Sequence, residues 1–244
     1  MLNQGDFKMI NKRIGIPGYQ IGENTFGVNT SYLEFISKFG IPVILTPQDV
    51  HSPPDIDLLV LPGGPDILPN KYGKSPSYKI NKPSPMLEYF DEFILPQYFS
   101  RRVPIFAICR GMQLIWIMNG GELNQNNEYH IQSTDQNNQC HELIFTPKYQ
   151  KLDKYIDKVT SRHHQTCMAY DDNDLDIIPN NINVIAYSAA NKKKLIYQSD
   201  VVEIFEDREY PLYAVQYHPE NHDKTDKLSS MFINKLLGNI KELI

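Results

Sequence analysis

Three short apolar runs open the chain: RIGIP at 13–17, PVIL at 42–45 and DLLVL at 57–61. Each is short and continuously apolar, which is the pattern of a parallel strand buried on both faces. Between the first two, Val28, Tyr32, Phe35, Ile36 and Phe39 recur at helical spacing, and Gly40 follows as a stop signal. The opening is therefore a β-α-β unit. A second amphipathic stretch, 84–99, carries Leu87, Phe90, Ile94 and Leu95 and leads into the run PIFAI at 104–108. A helix over 110–119 then begins with no loop before it.

After Gly120 and Gly121 the texture changes to Asn- and Gln-rich linkers between short apolar runs at 143–145, 184–187, 201–205 and 213–217, closed by a helix over about 224–237. These runs predict mixed or antiparallel strands. The polar stretch 124–139 reads as a solvated loop, and the charge run Lys192 to Lys194 as a hairpin tip. No internal repeat is visible.

The length, 244 residues, suits one large α/β domain with a sizeable core. A net charge of −5 with no basic block removes the electrostatic support a nucleic-acid partner needs. No apolar run is long enough to span a membrane, and residues 1–10 lack an apolar signal core, so the expected location is cytoplasmic. Cys109, Cys140 and Cys167 contain no CxxC pair, which argues against a disulfide framework and a thiolate zinc site. Cys140 and Cys167 match no catalytic pattern.

Three segments carry chemistry. In PIFAICRGMQLI, Cys109 stands between strand and helix, where a tight turn exposes a side chain at the helix N-terminus and the helix dipole favours thiolate. On this segment alone Cys109 is either a poised nucleophile or one more small buried hydrophobe. In YAVQYHPE, a strand ends in His218, Pro219 and Glu220, a base with a carboxylate to orient it. In LPGGPD, Gly63 and Gly64 follow a strand and can turn backbone N–H groups toward a ligand without side-chain obstruction.

Together ICRGMQL, LPGGPDILPNKYG, SRHHQ and VQYHPE resemble class I glutamine amidotransferase-like hydrolases, specifically the gamma-glutamyl-gamma-aminobutyrate hydrolase branch, also called peptidase family C26. The resemblance covers about 13–237 and implies a single domain of α/β class. The implied fold is a flavodoxin-like three-layer sandwich with a central mostly parallel sheet, helices on both faces and an antiparallel extension in the second half. It implies Cys109 as nucleophile, His218 as general base then acid, and Glu220 as its orienting carboxylate. The oxyanion donors would be the Arg110 backbone N–H and one from the Gly63-Gly64 turn, and Gln113 would help hold the glutamyl group. His164 and Gln165 of the HHQ motif would line the acyl pocket, with His164 rather than His163 facing it. The Arg110 side chain is left between a substrate carboxylate and a structural ion pair.

Departures from the family pattern are the longer segment 189–200 before VVEIFED, Tyr217 where Trp or Phe is more usual, and Ser161-Arg162 where the family often has Asn-Ser. Arg162, if it faces the pocket, would favour an anionic substrate group. The implied activity is hydrolysis of a small gamma-glutamyl amine, without cofactor or metal, and a homodimer is compatible with the chain. A glutaminase subunit feeding ammonia to a separate synthase uses the same motifs and stays open, as does a non-catalytic binding module on the same fold.

Overall fold

The computed structural model describes residues 11–22, 25–77, 80–127, 139–156, 158–170, 175–189, 201–221 and 226–243, with the side chains of 139 and 140 excepted. Its first half is a doubly wound parallel sheet. Strand β1 (Arg13–Pro17) is followed by a small hairpin, β2 (Tyr19–Gly22) and β3 (Thr25–Gly27), then helix α1 (Thr30–Ile36) and strand β4 (Ile41–Leu45). The hairpin is absent from the sequence expectation because its strands are four and three residues long and largely exposed, too short for alternation to register. Helix α1 is shorter than the 28–39 periodicity. Asn29 ends it on one side by accepting from the Ser31 N–H at 3.1 Å, while Val28 and Phe39 stay buried as flanking residues.

Strand β5 (Leu58–Leu61) comes next, without Asp57, whose carboxylate instead ties down the start of β1 through Lys12 at 2.7 Å and the Arg13 N–H at 2.8 Å. The amphipathic stretch 84–99 forms α2 (Pro85–Tyr89), a π-helical turn at Phe90–Ile94 and α3 (Leu95–Ser100). Pro96 has no N–H to donate, and the wider turn before it lets the Leu95 N–H reach back to the Phe90 carbonyl. Strand β6 (Ile105–Ile108) then runs into α4 (Arg110–Met118) with Cys109 as the sole residue between them.

The parallel strands lie in the order β4-β1-β5-β6 and continue to a fifth, Leu212–Val215, giving 2-1-3-4-5 in the order of their appearance. The second half supplies β7 (Leu123–Asn124), β8 (Gln139–His141), β9 (Leu143–Phe145), β10 (Val159–Thr160), β11 (Thr166–Met168), β12 (Ile182–Ser188), β13 (Val201–Asp207) and β14 (Leu212–Val215), then α5 (Leu228–Leu236). Strand β14 pairs parallel with β6 and antiparallel with β13, so the same sheet passes from its parallel to its antiparallel half there. The short strands β7, β8, β10 and β11 span two or three residues each, too few to register as periodicity. Most of the polar stretch 124–139, the Lys192 to Lys194 run and the Cys140 side chain lie outside the described residues.

Alternate residues of the central strands pack on opposite faces. Ile14, Ile16, Leu58, Val60, Phe106 and Ile108 join the layer of α1 and α5, whereas Leu59, Leu61, Ile105 and Ala107 join that of α2, α3 and α4. This is the three-layer arrangement that the near-continuous apolar runs require. Helix α4 lies against β5 at Gly111, where a Cβ would sit 2.6 Å from the Leu61 carbonyl oxygen, so the glycine permits the close approach. Among the described residues no helix is long and apolar enough to cross a membrane.

Candidate active site

The C-terminal ends of β5, β6 and β14 meet at one point, where open α/β sheets place their ligands. Cys109 adopts φ 49° and ψ −104°, a left-handed-side conformation that costs a non-glycine residue about 1–3 kcal/mol. Both neighbours hold it there. Its N–H donates to the Val215 carbonyl at 2.8 Å as the last rung of the sheet, and its carbonyl accepts from the Gln113 N–H at 3.0 Å as the first rung of α4. The sulfur is thus carried out of the sheet plane at the positive end of a nine-residue helix.

His218 does not lie on the strand itself. Strand β14 stops at Val215, and Gln216 and Tyr217 carry the chain two residues further, with the Gln216 N–H still paired to the Glu203 carbonyl at 2.8 Å. Tyr217, fully buried, anchors this exit through its hydroxyl, which lies 2.9 Å from Ser229 Oγ in α5. Pro219 then opens a single 3-10 turn, Pro219–Asn221, which folds Glu220 back so that Oε1 lies 2.7 Å from His218 Nδ1. With Nδ1 committed to the carboxylate, Nε2 is the ring nitrogen left for Cys109. Burial alone lowers the His218 pKa, but the charges of Cys109 and Glu220 and their hydrogen bonds outweigh it and carry the value up to about 10.

That balance gives a test. Replacing Cys109 by Ser removes one of the two groups that favour the imidazolium, so the His218 pKa falls in Cys109→Ser, read by NMR titration of its ring protons. An unchanged value contradicts the contact. By linkage, the folded chain retains a proton at His218 that the unfolded chain releases at about pH 6.5. This contribution to stability is complete below that pH and is lost as pH rises through about 10.

Tyr32 is the component that the sequence does not announce. Its hydroxyl accepts from the Gly63 N–H at 2.9 Å and lies 3.4 Å from His218 Nδ1. Burial, with Glu220 and Cys109 close by, holds its pKa well above the ordinary phenol value, so it stays protonated. A tyrosine on the apolar face of a helix looks like any core aromatic, and no local signal distinguishes it. Because Tyr32 occupies the Gly63 N–H, the free donor of the glycine turn is the Gly64 N–H. No backbone carbonyl takes the Gly64 or Arg110 N–H among the described residues.

Gly63 also has to be glycine. A Cβ there would lie 2.7 Å from both His218 Cε1 and Tyr32 Oη. Gly63→Ala therefore displaces the imidazole by a few tenths of an ångström or more, and kcat/KM is expected to fall on the order of 10²-fold with the fold retained. Steady-state kinetics alongside a thermal melt check this, and full activity in Gly63→Ala contradicts it.

The remaining candidates are placed as follows. Gln113 donates through Nε2 to the Gln165 carbonyl at 2.8 Å and to Gln216 Oε1 at 3.3 Å, which braces α4 against the antiparallel strands. Gln165 clamps the backbone of Ile67 with both ends of its amide, at 2.9 Å each. His164, expected to line the acyl pocket, points elsewhere: Nε2 lies 3.0 Å from Asp66 Oδ2 and Nδ1 2.9 Å from the Gln125 carbonyl. Asp66 also accepts from the Asn81 N–H at 2.7 Å, so His164 fastens the loop after β5 rather than facing Cys109. The Arg110 side chain resolves to the ion pair, with Asp91 at 2.7 Å and both groups largely buried. Cys167 is buried in the core, where burial pushes its pKa well up.

Cys109, His218, Glu220, Gly63, Gly64 and Tyr32 line a pocket of about 220 Å³, with Tyr19, Asn29, Ser31, Arg162 and Asn221 completing its wall. Asn29, already the cap of α1, and Asn221, the residue after the His-Pro-Glu run, escape the motif reading because each is an ordinary turn residue. Among the described residues, no group of three or more His, Cys, Asp or Glu side chains is placed to hold a metal ion.

Comparison with known proteins gives the family and the fold. Residues 18–220 match the family described as Peptidase C26. Protein NtpR of Enterococcus hirae is 30% identical over 199 residues, covering 74% of this chain and 75% of that protein. The gamma-glutamyl-gamma-aminobutyrate hydrolase PuuD of Escherichia coli is 31% identical over 113 residues, 43% of each chain. Among solved structures, a glutamine amidotransferase from Thermotoga maritima superposes with a TM-score of 0.53 at 14% identity, covering 94% of this chain and 83% of its own.

Proposed function

The chain belongs to the peptidase C26 family, whose relatives are hydrolases and glutamine amidotransferase-like proteins, and we propose that it hydrolyses the gamma-glutamyl amide bond of a small gamma-glutamyl amine through a thioester on Cys109. The observation that carries this reading is the strained Cys109 between sheet and helix, facing a histidine whose other nitrogen is held by Glu220 at 2.7 Å.

The steps follow from the groups in place. The Cys109 sulfur, as thiolate beside the His218 imidazolium, attacks the γ-carbonyl carbon. The carbonyl oxygen gains the negative charge and is received by the Arg110 and Gly64 N–H groups, each such donor contributing on the order of 3 kcal/mol to the transition state. Collapse breaks the C–N bond, and the departing nitrogen takes the His218 proton. A water then enters, gives a proton to the neutral imidazole and attacks the thioester carbon, releasing glutamate and returning the sulfur as thiolate. Glu220 keeps the ring oriented through both halves, and Tyr32 fixes the Gly63 turn against the same ring. Acyl transfer by this route uses no cofactor.

The test is glutamate release by the purified protein, with no other protein added, from gamma-glutamyl-γ-aminobutyrate and from glutamine. Turnover of the gamma-glutamyl amine well above that of glutamine is the expected result. Activity on glutamine alone, or only after a synthase is supplied, overturns the hydrolase reading in favour of an amidotransferase subunit.

A further inference from the structure

Two guanidinium groups lie near Cys109, and they are not equivalent. Arg110 turns its side chain away to Asp91, at 2.7 Å, and is neutralised there. Arg162 lines the Cys109 pocket, is exposed, and has no ion pair among the described residues. The carboxylate in the same pocket, Glu220, is occupied by His218 and its side chain is only 3% exposed. The other polar groups of the wall, including Asn29, Ser31 and Asn221, are neutral. Among the described residues, a charged ligand group entering this pocket therefore meets one uncompensated positive charge and no free negative one.

The groups of the pocket differ in depth. Cys109 is 5% exposed and His218 9%, so the acyl carbon sits at the floor with Gly63 and Gly64. Arg162 is exposed, so an amine that departs from the floor toward solvent would pass the part of the wall where it stands. Its planar fork matches a carboxylate in two-point contact, a geometry that an ammonium group cannot use. Building on the hydrolase reading above, we infer that Arg162 is a specificity-determining residue that binds a carboxylate on the departing amine, so that acidic leaving amines are preferred over neutral and basic ones.

The experiment compares kcat/KM for three gamma-glutamyl amides whose amines match in length but differ in charge: γ-aminobutyrate, butylamine and putrescine. In the wild type the acidic amide is expected to exceed the neutral one by about tenfold or more, the range of a hydrogen bond to a charged group. Arg162→Gln brings that ratio close to one, Arg162→Glu shifts preference to the putrescine amide, and Arg162→Lys keeps the acidic preference. Each ratio is taken within one variant, so partial losses of folded protein cancel. If the ratios are the same in Arg162→Gln and Arg162→Glu as in the wild type, the assignment of Arg162 is overturned while the hydrolase reading stands. This includes the case in which all three amides slow equally, which would assign Arg162 to the shared glutamyl group. If the wild type turns over none of the three, the hydrolase reading falls and this inference with it.

Discussion

Cys109→Ala is expected to slow glutamate release from a gamma-glutamyl amide on the order of 10⁴-fold or more, with the fold preserved. The loss follows from chemistry rather than structure. The hydrogen bonds that hold residue 109 are made by its backbone, to the Val215 carbonyl at 2.8 Å and from the Gln113 N–H at 3.0 Å, and alanine keeps both. Alanine also carries the same φ penalty as cysteine at 49°. What disappears is the nucleophile, together with the negative charge that helps keep His218 protonated. Because sulfur and imidazole act as one unit, adding His218→Asn to Cys109→Ala should lower the rate little further, far less than the product of the two single losses. Rates for both single variants and the double variant, with thermal melts as the folding control, check this. Wild-type rates in Cys109→Ala overturn it.

Glu220→Gln carries the second largest expected effect, a fall in kcat on the order of 10²- to 10⁴-fold with KM changed much less. Glutamate is acceptor-only when ionised, so at 2.7 Å it fixes the His218 proton on Nδ1 and leaves Nε2 facing the sulfur. A glutamine amide can present its NH₂ instead, which favours the opposite tautomer and blocks the proton transfer. The substitution also removes one of the two charges that raise the His218 pKa, so that value drops in the same variant. A rate loss without a downward shift of the histidine titration would mean that Glu220 acts only through packing. A kcat equal to the wild type contradicts the orienting role outright.

How much of this was legible in the sequence depends on the length of each signal. The parallel half was readable because β1, β4, β5 and β6 are apolar runs of four or five residues each, a pattern that polar loops do not imitate. Strands β1, β5 and β6 are buried as that pattern implies, whereas β4, at the sheet edge, leaves Ile41 and Ile44 exposed, since it has a neighbouring strand on one side alone. The Cys109 elbow was readable for the same reason, a buried strand running into a helix with no spare residue. The short strands of the second half were not, since β7 and β10 span two residues each and owe their conformation to neighbours distant in the chain. Within the site, the triplet Cys109, His218 and Glu220 stands on two compact motifs, and the fold brings them together. Tyr32 reaches the Gly63 N–H across 31 positions of sequence, and nothing local marks it. His164 shows the converse. Adjacent histidines look like pocket residues, yet the Asp66 carboxylate, 98 positions away, takes the ring for a loop clamp. Motifs report which chemistry a chain carries, whereas long-range hydrogen bonds decide which polar side chains are free to perform it.

The most direct measurement is the intact mass of the protein, acid-quenched during turnover of gamma-glutamyl-γ-aminobutyrate, followed by peptide mapping of any adduct. The account predicts a mass gain of one glutamyl acyl group, located on Cys109, labile to hydroxylamine as a thioester is, and absent from Cys109→Ala. Glutamate release with the acyl group on another residue, or continued at the wild-type rate in Cys109→Ala without any adduct, would contradict it.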